Sequence, residues 1–514
     1  MKKNKGFTLV ELISILTILG IIALITIPIM TKTINNAKIK ALREQKTAII
    51  EAAKKYALDI AEDLPKYDGD IYAIKVSDLR NSPYLDEENI IDPTTNKAMN
   101  GCVNIIYNGQ KGKYSYTYVD ACKTYASSPE LDENMIPIVY RNNRWETIGN
   151  TRWYNYENKE WANAAIVKDV SKYKNLDAGV EVLDDDIVAM FVWIPRYSYT
   201  IQKNNKNGET TYGYNSTNIA TPGSIDIKFI DKNTTDDGVG YYYGTSASNY
   251  HTSDAFWNDY DNDGVKEDNE QLNGIWVGKF ETGTASNSLC ASNEGSQNCN
   301  KVIDGSELLI KSNTKSLRYQ EIGYQFKTAF NLGRHYNLEA ETRMMKSPDW
   351  GAITYLAQSV YGRCSTKESC TAITKNANQN FMTANGDYKA NLDQSTTGNI
   401  TGVYDVNGGS WEVSMSFYQS IPQEKEVPAD IKPKYYNIYT STDSSSACNG
   451  DVCYGHSLSE TERWYNGLAK MTNSSYLYTI HGGDKEYEGG SGFAYYEHIG
   501  MGGNTSFRIV VQTK

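Results

Sequence analysis

The sequence predicts an α+β protein in two parts: a long N-terminal helix leading into a small antiparallel sheet, and a larger, Tyr-rich α+β domain after it. Three observations carry this expectation. Residues Phe7 to Met30 are apolar apart from Glu11 and a few small polar residues, and helical spacing continues from there to Pro65. A pair of strand-like runs bounded by cysteines follows. From Ile187 onward, β-branched and aromatic runs alternate with Gly-containing turns, in a chain with 40 Tyr and 9 Trp. The length of 514 residues implies several domains, because single cores usually stop growing at ~250–300 residues.

The first apolar run is long enough to cross a bilayer as a helix. Lys2, Lys3 and Lys5 precede it, which favours a cytoplasmic N-terminus. A secretory signal would carry its cleavage site after the apolar core. Here the candidate site, Gly6-Phe7, comes before it, so the helix would be kept. Glu11 is costly at bilayer depth and calls for a partner. Cleavage after Gly6 would create one, the new α-amino group of Phe7, which a neighbouring copy of the chain could present to Glu11.

Leu42, Gln45, Ile49, Ala53, Tyr56 and Ile60 carry the helical spacing onward with Lys and Glu between them. IIEAAKKYALDIAEDLP is rich in helix formers and stops at Pro65. CVNIIYNGQKGKYSYTYVDAC then supplies two strands about a Gly turn.

KGFTLVEL, with the apolar run behind it, resembles the class III signal of type IV pilins and related pseudopilins. The resemblance implies that a prepilin peptidase cuts after Gly6 and methylates Phe7, and that Glu11 pairs with the N-terminal amine of an adjacent pilin subunit. Pro28 falls where such helices commonly carry a kinking proline. The implied organisation is a leader over 1–6, a transmembrane and filament-core helix over 7–31, and a pilin-like globular domain over 32–125. The implied location is the membrane, as a single-pass protein, before assembly, and an extracellular filament afterwards.

Residues 126–186 read as a connecting region, in which WYNYENKEWANAAIV suggests a hairpin about an Asn-Lys turn. Beyond it, IVAMFVWIP and GIWVGKFETGT read as strands, DWGAITYLAQSVYG as a short helix and TSFRIVVQTK as a terminal strand. Gly402, Val403, Tyr404, Asp405 and Val406, then Gly408, Trp411 and Glu412, then Phe507, Arg508, Val510 and Val511 form three separated motifs. In that order they resemble the formylglycine-generating-enzyme-like domain, a variant of the C-type lectin fold, over 187–514. Two departures stand out. Gly409 takes the place of the family's Asn and Val413 that of its second Trp, which leaves the family's calcium site around Glu412 without that Asn. The active enzymes carry paired cysteines after a Gly-Gly-Ser element, whereas Cys448 and Cys453 precede Gly489–Phe493 and no cysteine follows. The resemblance therefore implies the fold without the oxidase chemistry, and no catalytic residue is expected.

WNDYDNDGVKEDNEQL fits the calcium-loop pattern D-x-[DN]-x-[DN]-G-x5-E over 259–270. Ca²⁺ takes six to eight hard oxygen ligands. Asp259, Asp261 and Asp263, the carbonyl of Val265, a water near Glu267 and a bidentate Glu270 would supply them, with Gly264 at the sharp turn. Lys266 stands where helix-flanked loops are apolar and the flanks do not read as helices. The expectation is thus an isolated loop that braces an extracellular domain. Eight cysteines fall as sequential neighbours: Cys102 and Cys122, Cys290 and Cys299, Cys364 and Cys370, Cys448 and Cys453. The even count suggests local disulfides made in an oxidising compartment.

A net charge of -11 argues against a nucleic-acid surface. The five histidines show no metal or catalytic spacing, and neither a P-loop nor a nucleophile elbow occurs. The expected function is a minor, tip-located pilin-like subunit that displays a non-catalytic adhesion domain to a surface glycan or protein. The alternative is a pseudopilin of a type II-like secretion or DNA-uptake apparatus, and a surface enzyme is the least favoured reading.

Overall fold

The computed structural model describes residues 6, 8–85, 90–203, 224–238, 241–243, 250–261, 263, 265–285, 301–366, 369–421, 431–442, 448, 453–458, 478–483, 496–498 and 505–513. The chain divides into two compact units, Met1–Lys123 and Thr124–Lys514. Phe7, Gly264, Cys290, Cys299 and Gly489–Phe493 lie outside the described residues.

The first unit is built on helix α1 (Leu9–Asp59), 51 residues long. Its two halves face different surroundings. The large apolar side chains from Leu9 to Met30 are exposed, and this stretch is long and apolar enough to cross a membrane. Thr17, Thr26 and Thr31 donate their hydroxyls to the carbonyls four residues back at 2.6–2.8 Å, so these polar groups are satisfied within the helix. Pro28 sits inside the helix, which continues past it. In the second half, Ile49, Ala52, Ala53 and Ala57 are buried, the period of one helix face.

That face packs on a three-stranded antiparallel sheet. Strand β1 (Ile71–Lys75), the short helix α2 (Val76–Arg80), β2 (Cys102–Asn108) and β3 (Lys113–Val119) follow in sequence, with spatial order β1-β2-β3. Val103 and Ile105 alternate into the core, and Tyr114, Tyr116 and Tyr118 present one face of β3 to it. The Cys102–Cys122 disulfide joins the start of β2 to the chain just past β3. Beside it, a Cβ on Gly101 would lie 2.1 Å from the Val119 carbonyl oxygen, so no side chain fits there.

The second unit is organised by a seven-stranded antiparallel sheet. Its strands are β4 (Ile136–Arg141), β5 (Arg144–Thr147), β6 (Asn163–Val167), β7 (Ile187–Pro195), β8 (Gly274–Gly278), β9 (Glu341–Met344) and, at the C-terminus, a last strand over Ile509–Gln512. Two helices flank β9 in sequence: α3 (Ile322–His335) before it and the fully buried α4 (Ser347–Ala357) after it. Strands β10 (Trp411–Tyr418) and β11 (Tyr478–His481) pair antiparallel in a separate sheet, with a register shift between Val413 and Phe417. Numbering the last strand β12, the large sheet runs β9-β12-β8-β7-β6-β4-β5.

Strand β7 is buried along its whole length, which is why IVAMFVWIP reads as an uninterrupted apolar run. Trp193 and Trp276 face each other in register across β7 and β8, with ring centroids 5.3 Å apart. Their indole N–H groups donate to the carbonyls of Ser127 at 3.2 Å and Glu130 at 2.6 Å. The stretch 126–186, read from sequence as a connection, thus supplies β4, β5 and β6 to the sheet and two carbonyls to its core. Within it, the expected Asn-Lys turn is a bridge between Asn155 and Glu160, with Lys159 left-handed at φ 62°. Disulfides Cys364–Cys370 and Cys448–Cys453 close two short loops.

Candidate functional site

The three separated C-terminal motifs meet around Arg508, which has no exposed surface. Its Nε donates to Glu412 Oε2 at 2.9 Å, and one Nη donates to the other Glu412 oxygen. The remaining donors go to the carbonyls of Gly278 at 2.7 Å and Tyr404 at 3.0 Å. One planar cation therefore ties β8, the 402–406 motif, β10 and the start of β12 together. Both Glu412 oxygens are engaged by this cation, so the residue serves as its counter-ion.

Two further carboxyls share this interior. Asp405 accepts from the Ala384 amide at 2.8 Å and from Asn376 Nδ2 at 2.8 Å. Glu281 Oε1 accepts from the Ser410 amide at 2.8 Å. Burial, together with the charges of Asp405 and Glu412, holds the Glu281 carboxyl well above the usual carboxylate range. A Cβ at Gly409 would stand 2.4 Å from Glu281 Oε1, and φ there is +78°. Glycine at 409 is thus what the nearby Glu281 carboxyl and the local backbone demand.

A pH dependence follows. Folded Glu281 keeps a proton that the unfolded chain releases near the ordinary value of 4.5. The folded state then binds more protons, so stability falls as pH rises above that value and levels off only above the raised pKa. Glu281→Gln should remove this slope. Melting curves at pH 5 and pH 8 should show the variant gaining on the wild type at the higher pH, and equal differences at both would refute the assignment.

In the 259–270 loop the carboxylates of Asp259, Asp261 and Asp263 offer oxygens within 4.8 Å of one another. Asp259 is buried and the other two are exposed. The Asp263 amide donates to Asp259 Oδ1 at 2.9 Å and the Val265 amide to Asp263 Oδ1 at 2.7 Å, which turns the chain tightly about the carboxylates. Lys266 ion-pairs with Asp254, away from this group. Glu270 is placed differently from the three aspartates. Its oxygens accept from Trp257 Nε1 at 2.8 Å, the Tyr260 amide at 2.6 Å and the Glu267 amide at 3.4 Å. The charges of Asp261, Glu270 and Asp263 with some burial raise the Glu267 carboxyl above its usual range, the Asp261 charge most of all. The flanks are single 3-10 turns, Asp254–Phe256 and Asp268–Glu270, closed by a bridge between Trp257 and Gln271.

At the other end of the chain, Gly6 is exposed and a Cβ there would touch nothing. Thr8 caps α1. Its amide and its hydroxyl both donate to Glu11 Oε2 at 2.8 Å, and the Glu11 amide donates to Thr8 Oγ1 at 3.3 Å. This is a capping box, with Glu11 at the third helical position. Residues 1–27 match the family model of the prokaryotic N-terminal methylation motif.

The methylation motif supports a type IV pilin-like or pseudopilin subunit and implies processing by a prepilin peptidase and assembly with other such subunits. With the exposed apolar half of α1 it fits membrane anchoring before assembly into an extracellular filament. No curated protein matches the chain. Thr-Leu-Val-Glu carries a second signal beside the cleavage site, the T-x-x-E signature of a helix start. Glu281, in Phe-Glu-Thr-Gly-Thr, carried no sequence signal at all, since its partners lie more than a hundred residues downstream.

Proposed function

We propose that the chain is a minor, tip-located subunit of a type IV pilus-like filament, with its Thr124–Lys514 unit displayed as a non-catalytic adhesion module. The observation that carries this reading is a methylation motif opening a helix whose first half exposes its large apolar side chains, in a chain that also holds a second, larger compact unit. A module of that size on every subunit would crowd a tightly packed shaft. The module is read as formylglycine-generating-enzyme-like, with a C-type-lectin-like fold. Supporting this, residues of its three motifs meet around Arg508, which hydrogen-bonds Glu412 and the Tyr404 carbonyl.

Immunogold labelling of sheared filaments with antibody to residues 187–514 tests the proposal. Gold at filament ends is expected. Gold absent from filaments, with the protein left in the membrane fraction, would replace the tip reading by a pseudopilin in an envelope-spanning machine.

Calcium is the proposed cofactor of the 259–270 loop. The convergence of Asp259, Asp261 and Asp263 supplies hard oxygen donors of the kind the ion takes, and Glu267, Glu270 and the Val265 carbonyl stand in the same loop. Bound Ca²⁺ would neutralise the aspartates and hold the turn. Thermal melts of the full chain in detergent should show a rise on adding CaCl₂, of about 2.7 kcal/mol at a hundredfold excess over Kd. Asp261→Ala should abolish the rise, and a wild-type midpoint indifferent to calcium would rule the cofactor out.

A further inference from the structure

The chain passes from one compact unit to the other at Lys123 and Thr124. A few residues to either side, it is fastened to the interior of the unit it belongs to. In the first unit the fastening is covalent. Cys122 is exposed, and its disulfide partner Cys102 is 1% exposed at the head of β2. Strand β2 is the central one of its sheet. It pairs with β1 on one side, Cys102 opposite Lys75, and with β3 on the other, Cys102 opposite Val119.

In the second unit the fastening is a set of hydrogen bonds to the middle of the large sheet. The Ser127 and Glu130 carbonyls accept the indole N–H groups of Trp193 in β7 and Trp276 in β8. Asn273, next to β8, accepts at its carbonyl from the Ser127 hydroxyl at 2.5 Å and donates its Nδ2 to Glu130 Oε1 at 2.8 Å.

Without the disulfide, tension on this connector would act first on β3. Among the described residues that strand lies at the edge of its sheet, paired only with β2. Its rings Tyr114, Tyr116 and Tyr118 are only partly buried. The connector leaves from the open end of the β2–β3 hairpin, past Val119, and the turn lies at the far end, between Asn108 and Lys113. Tension there loads the rungs of the ladder one at a time, and bonds broken in turn yield at lower force than bonds loaded together. Asp120 is also tied to α1, by an ion pair with Lys46 at 3.0 Å, but its side chain is 81% exposed. An exposed pair of this kind contributes little. The disulfide is covalent. It hands tension from Cys122 to Cys102, and so to a strand paired on both sides whose Val103 and Ile105 sit in the core.

We propose that the Cys102–Cys122 disulfide is a force-carrying clasp, which routes tension from the Thr124–Lys514 unit past β3 and into β2 and the core under α1. The inference rests on the adhesion reading above, in which a filament bound to a surface is pulled through this connector. The clasp keeps the smaller unit folded while the larger one is pulled.

Optical-tweezer force ramps on the full chain in detergent test this. One handle is an azide-bearing residue in place of Lys40, exposed on α1, and the other follows Lys514. The wild type should release no chain from the first unit before the second gives way. Cys122→Ala should add an early step at lower force, in which the 14 residues from Gly109 to Cys122 come free, about 50 Å of contour. A melting curve checks that the unloaded variant is folded. Variant traces identical to wild type would overturn the inference, as would the same early step in the wild type. If Cys122→Ala does not fold, wild-type ramps with and without a phosphine reductant decide. The other neighbouring cysteines stand at most nine residues apart in sequence, so opening one such pair frees no more than about 30 Å. These ramps need no ligand and are independent of adhesion. Filament attachment to cells tests that reading. Cys122→Ala filaments should attach in still medium as wild type does and detach at lower flow, whereas wild-type filaments that fail to attach remove the adhesin.

Discussion

Changing Glu11 to Ala is expected to leave the subunit in the membrane and remove it from filaments. Insertion depends on the apolar run to Met30, and deleting a carboxylate makes that run more apolar. What the variant loses lies at the helix start. In the single chain the carboxylate is held by Thr8, whose amide and hydroxyl both point at Oε2. This arrangement parks the charge at the positive end of the helix and next to where cleavage after Gly6 would place a new amine. Two roles are therefore superimposed on one side chain, and a second variant separates them. Glu11→Gln keeps a capping box, because Gln reaches back to the same amide, but it carries no charge to pair with the amine of another copy. Immunoblots of membrane and sheared-filament fractions should find both variants in the first fraction and neither in the second. A Glu11→Gln protein that assembles normally would mean that capping, and not ion pairing, is what the filament needs.

The second large effect concerns the interior of the C-terminal unit. Arg508→Met is expected to cost about 3–5 kcal/mol, the usual loss when one partner of a buried ion pair is removed. The total stability of a domain is commonly ~5–15 kcal/mol, so this loss approaches unfolding. The variant would strand Glu412 as an unpaired buried charge and leave the carbonyls of Gly278 and Tyr404 without their donor. Arg508→Lys should fare little better, since an ammonium cannot span two carboxylate oxygens and two carbonyls from one plane. Replacing both partners, as Arg508→Met with Glu412→Leu, should recover much of the loss because no charge is then left in the core. Urea denaturation followed by tryptophan fluorescence reads all three variants. A single Arg508→Met protein with an unshifted midpoint would show that the pair contributes nothing to the fold.

What could be read in advance follows how local each feature is. The soluble half of α1 was legible because Ile49, Ala53, Tyr56 and Ile60 repeat at the period of one helix face. Strand β7 and helix α4 were legible as runs, and the Asp259–Asp263 spacing as a turn of converging carboxylates. Residues 126–186 were not recognised as part of the sheet, because β4, β5 and β6 are short and take their place through a chain of pairings, β6 on β7, β4 on β6 and β5 on β4, which no local pattern encodes. Position 409 was legible as an oddity against the resembled family, yet its cause, the Glu281 carboxyl 2.4 Å from where a Cβ would stand, sits far away in the chain. Glu270 was legible as a loop-closing acid, but its hydrogen bonds to Trp257 and to two backbone amides required the folded loop.

The outward-facing apolar half of α1 also bears on how such a subunit could leave the lipid. At 1.5 Å per residue α1 is about 77 Å long, well over the ~30 Å of a bilayer's hydrocarbon core. The part from Leu9 to Met30 has no stable existence in water, so departure from lipid has to be a direct transfer into another oily host, such as a bundle of like helices. Hydrocarbon tails and aliphatic side chains solvate such a helix almost equally well, and the exchange is therefore close to thermoneutral in its apolar part. A small polar preference is then enough to set its direction, and a single carboxylate near the end of the helix is a sufficient source for one.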